Sequence, residues 1–294
     1  MIDQLRAAAM RHFPPITELM DAGKNALLPA AIGALLVLAI LLLIFGERVA
    51  VFGSAFAMVV GFGLANYFRH VFDWWPKSLG LACVPFLFLV AQIHALLVRS
   101  EGVPLWGKWW LRLAIGALAA FMLLPHEWQE KGWPIAAFTL GIALAWAGTE
   151  EVAKQSPGGN IPLLMSLALF SASMVMAHSH SAKLSDALSI PAASLAGIAL
   201  VSFLRPTDVS GALPGAVVML FCVLLIGQQE SYSDVPPKAF LIAALPPLTL
   251  GLAACPPLSQ LTGKWKWLVT WLLCLGPAAI ALSMAMQAET LPEW

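Results

Sequence analysis

The chain has 294 residues, of which 60% are hydrophobic and only 11% are charged, and its formal net charge is zero. Ordinary soluble domains contain about 45–50% apolar and about 25% charged residues. So few charged side chains could not cover the surface of a water-soluble protein of this length, which excludes a soluble globular domain. Most of the chain is therefore predicted to be surrounded by lipid.

Residues 1–25 precede the first apolar run and carry scattered charges, among them Arg6, Arg11 and Asp21. A cleavable signal peptide would have an apolar region directly after a basic N-terminus, and here that region begins late. We therefore expect a short segment lying at the membrane interface, broken at Pro14-Pro15.

Ten apolar runs of 17 to 21 residues follow, separated by short polar connectors. About 20 helical residues match a hydrocarbon core of about 30 Å. The runs lack the alternation of barrel strands, and lipid cannot satisfy open backbone groups, so they must be helices. We predict an all-α polytopic membrane bundle of about ten transmembrane helices. The predicted spans are 26–46, 49–68, 79–98, 109–125, 132–148, 161–178, 185–204, 211–227, 237–254 and 265–285.

Aromatic and sulfur-containing residues agree with these spans. Many of the twelve Trp residues lie near predicted span ends, where an amphipathic ring prefers the headgroup level. We interpret them as anchors, the alternative being that one or two line a site. They include Trp74, Trp75, Trp106, Trp109, Trp110, Trp128, Trp133, Trp265 and Trp267. The four Cys residues have no CxxC spacing and are interpreted as small apolar fillers.

The chain divides into two halves of five spans, 26–154 and 155–294, at the loop-like stretch after Lys154. An offset of 136 residues aligns Arg69 with Arg205 and Gln92 with Gln228, together with several Gly and Leu positions. Two copies with an odd number of spans enter the membrane from opposite faces, so we predict a five-plus-five inverted repeat. The alternative is a chance match between two sequences rich in Leu, Ala and Gly.

Basic residues are divided equally between the two sides of the predicted bundle, with eight Lys and Arg on each side. An inverted pair places equivalent basic residues on opposite faces, so it predicts similar numbers of Lys and Arg on the two sides. The alternative explanation for the equal numbers is that one span has been miscounted. Arg11 and Lys24 outnumber Arg48 around the first span. We therefore expect an integral protein of the plasma (inner) membrane with both termini on the same, cytoplasmic, side.

Ionisable groups are almost absent from the predicted spans, and the one nearest the membrane centre is His94. We interpret His94 either as a buried, hydrogen-bonded side chain or as a ligand-binding or proton-handling one. Prolines within spans free backbone carbonyls, which must line a cavity or be rescued by a neighbouring helix. The adjacent Pro246 and Pro247 mark the ninth span as the first place to seek a substrate cavity. The predicted substrate-binding residues are Asn66, Gln92, His94, Ser202, Gln228, Pro246 and Pro247.

The remaining polar residues form clusters of histidines and of carboxylates, which are candidate metal-binding or catalytic groups. His178 and His180 are candidate metal ligands, but alternate residues of a helix face different ways and further ligands would be needed. Glu127, Glu130, Glu150 and Glu151 are interpreted as solvated carboxylates of the connectors. Hydrolase, metalloprotease, P-loop and dinucleotide motifs are absent from the sequence, so we expect no enzyme and no cofactor.

The leading functional hypothesis is a secondary carrier for an uncharged or weakly polar small molecule, bound at the midplane between the halves. In length, span number and short connectors the chain resembles members of the drug/metabolite transporter superfamily, although no family motif can be matched along it. The alternatives are a non-transporting subunit or scaffold of a larger complex and an intramembrane lipid enzyme using His178 and His180. The expected partners are the bilayer, a small-molecule substrate and protein partners or a second copy, but no nucleic acid.

Overall fold

The structure is a computed structural model that describes residues 21, 23–71, 81–98, 103–230 and 233–288. Within these ranges the chain is helical and contains no β-strand, so the predicted all-α bundle is confirmed. The predicted break at Pro14-Pro15 lies outside the described residues, as do Trp74 and Trp75.

The described residues form twelve α-helices, which we number in chain order. They are α1 Leu28–Phe45, α2 Ala50–Arg69, α3 Val84–Val98, α4 Leu105–Leu123, α5 His126–Gln129, α6 Trp133–Gln155, α7 Asn160–His178, α8 Ala182–Leu204, α9 Leu213–Glu230, α10 Pro237–Ala243, α11 Pro246–Gly251 and α12 Gly263–Ala288.

In the part of the chain that the structure describes, eight segments are long and apolar enough to cross a membrane, compared with about ten spans predicted from the sequence. They are built on α1, α2, α6, α7, α8, α9, the α10–α11 pair and α12. Helix α3 is apolar but shorter, and α4, which carries Lys108 and Arg112 in its first two turns, is outside the eight. The chain is thus a polytopic helical bundle.

Successive long helices run in opposite directions, as their end-to-end contacts show. We call the end of the bundle at which α1 begins the N-terminal face and the opposite end the far face. At the N-terminal face, Arg69 at the end of α2 pairs with Asp186 near the start of α8. At the far face, Arg205 just after α8 donates to the Leu42 carbonyl near the end of α1.

Helix α9 lies at the centre of the bundle. It is buried on all sides, with every residue from Leu213 to Gly227 inside the protein. A helix that is apolar all round belongs in such a position, because no face of it needs water. It packs against α3 and α6 of the first half and against α7, α8 and α10 of the second.

Helix α1 lies at the periphery and shows how the bundle meets lipid. Leu28, Ile32, Leu36 and Ile40 are each at least half exposed and follow one another at intervals of four residues. This spacing places them on one face of the helix. The opposite face, with Ala30, Ala34 and Leu38, is buried against α2 and α8. An apolar outer face of this kind is stable in hydrocarbon and unfavourable in water.

The ninth span is broken at the two adjacent prolines. Helix α10 ends at Ala243, and α11 begins at Pro246, with both prolines in its first turn. Proline suits this position because the first N–H groups of a helix have no partner within the helix. Pro191 and Pro277, by contrast, lie inside the continuous helices α8 and α12.

The carbonyl freed by Pro277 is rescued by a neighbouring segment, as membrane depth requires. Pro277 has no N–H to donate to the Leu273 carbonyl, one turn earlier. The hydroxyl of Thr249 on α11 donates to that carbonyl instead, with an O–O distance of 2.5 Å. The break in the ninth span and the proline of the tenth are therefore joined by one hydrogen bond.

We expect Thr249→Val to lower the free energy of unfolding by about 1 kcal/mol, because it leaves the Leu273 carbonyl without a donor. Denaturant titration of the purified protein in detergent measures this change. Thr270→Val is the matched control, since the Thr270 hydroxyl bonds only to Lys266 O within its own helix. Equal losses in both variants would contradict the rescue.

The four cysteines differ in accessibility. Cys83, Cys222 and Cys274 are buried, whereas Cys255 is exposed just after α11. We expect a maleimide to modify one thiol in the folded protein, four after denaturation in SDS, and none in folded Cys255→Ser. Intact-mass spectrometry counts the adducts. Modification of folded Cys255→Ser would contradict the packing of the three buried thiols.

Candidate functional site

The structure does not bring the predicted substrate-binding residues into one site. Counted along their helices, Asn66 and Gln228 lie about 10 Å from the helix midpoints toward the N-terminal face, and Ser202 lies about 14 Å from its helix midpoint toward the far face. Ser202 is buried and donates its hydroxyl to Ile198 O within α8. A hydroxyl so engaged is satisfied within its own helix, which leaves Ser202 without an evident role in binding.

Gln92 and His94 lie near the middle of α3 but face different neighbours, because they are two residues apart on a helix. The Gln92 amide donates to Ala212 O at the start of α9, with an N–O distance of 3.2 Å. The His94 ring meets the Trp146 ring of α6 edge to face, with centroids 5.7 Å apart. Both side chains are buried. They therefore belong to two separate interfaces of α3.

An aromatic cavity of about 440 Å³ opens near the N-terminal face between the two halves of the chain. Helices α4 to α6 form one wall, and α9 and α10 form the other. Phe138 and Phe221 meet edge to face across it, with centroids 6.1 Å apart. Gln228 supplies a polar group to the lining. The lining residues are Leu124, Trp128, Trp133, Pro134, Ala137, Phe138, Phe221, Leu224, Leu225, Gln228, Phe240, Leu241 and Ala244.

This cavity differs from the predicted one in position and polarity. Pro246 and Pro247 are buried and follow the lining residue Ala244 closely in the chain, but they do not line the cavity. Trp128 and Trp133, which are predicted as anchors at the membrane interface, belong to its wall. A second cavity, of about 290 Å³, lies at the far face between the first turns of α7 and α12.

A buried ion pair joins α4 and α6. The Arg112 guanidinium donates to Glu150 with an N–O distance of 2.7 Å, and each side chain is less than one-tenth exposed. Lys154, one turn further along α6, lies 2.7 Å from the other Glu150 oxygen and is 37% exposed. We call Arg112, Glu150, Lys154, His94 and Trp146 the polar cluster.

The interpretation of Glu150 as a solvated connector carboxylate was wrong, as was the end of the fifth span at residue 148. Helix α6 continues to Gln155 because Val152 and Ala153 extend its apolar face into the protein. Glu150 is 6% exposed, whereas its neighbour Glu151 is exposed, as are Glu127 and Glu130. The prediction that the spans contain almost no ionisable groups therefore fails at Arg112 and Glu150.

The members of the polar cluster are linked one to the next. Trp146 precedes Glu150 by one turn on α6, so the two side chains lie on the same face. Arg112 lies within electrostatic range of the His94 imidazole, and its guanidinium carbon is 5.6 Å from the centre of the Trp109 ring. Three helices thus place charge and hydrogen-bonding groups around one interior region near the far face.

Several polar atoms of this region have no hydrogen-bond partner. Among the described residues, Arg112 Nε, Trp146 Nε1 and His94 Nε2 are buried and unpartnered. Gln92 Oε1 and Thr139 Oγ1 are also unpartnered but lie outside this region, at the α9-facing side of α3 and in the second turn of α6. Most buried polar atoms in proteins are satisfied, so such a concentration marks a candidate binding region.

The candidate metal ligands do not assemble into a metal site. His178 is buried at the end of α7, whereas His180 is exposed and has a positive φ of 59°. In the ranges that the structure describes, no three His, Cys, Asp or Glu side chains are grouped so that they could hold a metal ion.

These features define the chain as a multi-pass helical membrane protein. Comparison with known protein families and with curated proteins finds no family and no relative that matches the chain.

Proposed function

We propose that the protein is a secondary carrier that moves an uncharged, largely apolar small molecule through the interface between its two halves. The observation that carries this proposal is the aromatic cavity between α4–α6 and α9–α10. Its volume of about 440 Å³ falls within the range of about 300–1,000 Å³ typical of small-molecule sites. An apolar wall with one amide matches a ligand with an apolar body and a single polar group.

A paired arrangement of charges supports the five-plus-five plan. The Arg at the end of α2, Arg69, pairs with Asp186 near the start of α8 at 2.8 Å. The Arg at the end of α8, Arg205, lies 3.6 Å from Glu47, just before α2. The arginine at the end of each helix thus pairs with an acid at or just before the start of the other, which resembles the relation that a two-fold axis in the membrane plane generates. The two arginines are the pair that the sequence offset of 136 aligned, whereas Asp186 aligns with Ala50 rather than with Glu47.

The packing around α1 departs from such symmetry. Helix α1 packs extensively on α8, whereas its counterpart α7 packs on α12 rather than on α2. The proposed repeat therefore relates the α2–α8 pair more closely than it relates α1 to α7. We place both termini on the cytoplasmic side of the plasma membrane, as the basic residues around the first span favour.

Filling the cavity tests the proposal. Ala137 lines the cavity and is exposed, so Ala137→Trp adds a ring there without disturbing the packed core. We expect neutral aromatic compounds to raise the melting temperature of the wild type and to exchange in proteoliposome counterflow. Ala137→Trp should lose both effects, with affinity reduced at least about ten-fold because the added ring occupies the ligand's volume.

Ala136→Trp is the matched control, since Ala136 is exposed on the neighbouring position and does not line the cavity. It should retain binding and exchange. Binding that survives in Ala137→Trp would refute the cavity as the site. Binding without counterflow exchange would refute transport while leaving the site intact.

Close packing between α6 and α11 favours a second candidate, a scaffold subunit of a larger complex. Gly148 of α6 and Gly251 of α11 are in backbone contact, and both prolines of α11 are buried nearby. Such contact suits permanent helix association. Under this alternative the wild type shows no exchange of any compound, and cross-linking in native membranes captures it within a defined larger assembly.

A further inference from the structure

The charges of the polar cluster do not balance. Arg112 and Lys154 both bond to Glu150, so two cations surround one carboxylate. Glu151 is exposed and accepts a hydrogen bond from Gln155, at the outer side of α6. Among the described residues, the cluster therefore carries one positive charge in excess, on the partly exposed Lys154 beside the buried pair, and an anion bound next to Lys154 and Arg112 would compensate it.

The unpartnered atoms of the cluster are of the kind that bind an anion. Arg112 Nε and Trp146 Nε1 are both buried and unpartnered, and each can only donate a hydrogen bond. His94 Nε2 is a third unpartnered nitrogen on the facing helix. Arg112 is 6% exposed and Trp146 is fully buried. Donors held in a dry, positively charged region are complementary to an acceptor that carries negative charge.

Lys154 is the member of the cluster nearest the surface. Lys154 lies near the end of α6 at the far face and is 37% exposed, while the carboxylate it contacts is 8% exposed. A cation at the mouth of a buried site attracts anions and raises their local concentration. A small ion arriving at the far face would meet Lys154 first and the buried groups of Arg112 and Trp146 beyond it.

We propose that the polar cluster is a binding site for a small monovalent anion, entered from the far face. The site requires a ligand with one negative charge that accepts hydrogen bonds. A halide ion and a small carboxylate both meet this requirement. The proposal is independent of transport and of the aromatic cavity, which lies near the opposite face and is lined by a different set of residues.

The test uses the full-length protein purified in detergent with sodium isethionate, a bulky anion, as the reference salt. Chloride, formate and acetate are then titrated at constant ionic strength while the melting temperature is measured. We expect a saturable rise, because an ion that binds only the folded state stabilises it by mass action. A rise with chloride alone identifies a halide site, and a rise with formate or acetate identifies a carboxylate site.

Two variants locate the site while leaving the Arg112–Glu150 pair in place. Trp146→Phe removes one donor and keeps an aromatic ring, and Lys154→Gln removes the excess charge. Each should weaken anion binding about ten-fold or more, which is the effect of losing one charge-assisted hydrogen bond. Trp271→Phe, at another unpartnered indole, and Lys264→Gln, at an exposed lysine of α12, are the matched controls.

The controls should bind the anion as the wild type does. A wild-type melting temperature that does not depend on the anion would overturn the proposal. Equal anion responses in the wild type, Trp146→Phe and Lys154→Gln would overturn it as well, because the effect would then be a general one of salt.

Discussion

Replacing Glu150 with Ala is expected to lower the free energy of unfolding by about 3–5 kcal/mol, which is the typical cost of removing one partner of a buried ion pair. The change leaves the buried guanidinium of Arg112 without its counter-charge. Lys154 loses a partner as well, but it is more than one-third exposed and can be solvated. Unfolding in a detergent–denaturant titration measures the loss.

Glu151→Ala is the matched control for this experiment. Glu151 is the next residue of α6 and is exposed, so its removal should change the stability by no more than about 0.5 kcal/mol. Similar losses of stability in the two variants would contradict the burial of Glu150 and would support its interpretation as a solvated carboxylate of the connector.

A double variant separates the cost of an unpaired charge from the value of the pair itself. Arg112→Met combined with Glu150→Met replaces both charged groups with apolar side chains of similar length. Such replacements are often neutral or stabilising, because neither ion must then be removed from water. We expect the double variant to recover most of the stability lost in Glu150→Ala. A double variant less stable than Glu150→Ala would show that the pair contributes more than charge compensation.

Gly148→Leu is expected to destabilise the bundle by at least about 1–3 kcal/mol, the usual range for overpacking a filled interior. A Cβ added at Gly148 would lie 2.7 Å from the Cα of Gly251, where only backbone atoms are available to move. The side chain would force α6 and α11 apart and so displace the broken ninth span. The midpoint of thermal unfolding and the retention of a monodisperse elution peak report this effect.

Gly276→Leu provides the comparison. Gly276 lies within α12, and a Cβ added there meets no atom within 4 Å. In a helix interior, Leu is more favourable than Gly by about 1 kcal/mol. This variant should therefore be at least as stable as the wild type. A tolerated Gly148→Leu would contradict the contact between α6 and α11.

Much of the architecture could be predicted from local sequence. The apolar runs predicted each long helix to within several residues, because length and hydropathy alone decide which segments lipid accepts. The break at Pro246 was also readable, since two adjacent prolines cannot continue a helix but can begin one. The exposed carboxylates Glu127 and Glu130 lie where the charge pattern predicted them.

The residues of the candidate sites could not be predicted from local sequence in the same way. Glu150 and Glu151 are adjacent and chemically identical, yet one is buried and the other exposed. A rotation of about 100° along the helix separates them, and the choice depends on which face of α6 meets α4. One signal was present: Trp146, Glu150 and Lys154 follow at intervals of four residues, which places them on a single face.

By itself, the sequence determined that the chain is a helical membrane bundle and where most of its helices lie, because hydropathy and backbone satisfaction act within each segment. Only the tertiary structure decided which polar groups meet. Arg112 and Glu150 are 38 residues apart in the chain, and the aromatic cavity is assembled from helices of both halves. Pairings of this kind arise from the orientation of whole helices, which no local pattern specifies.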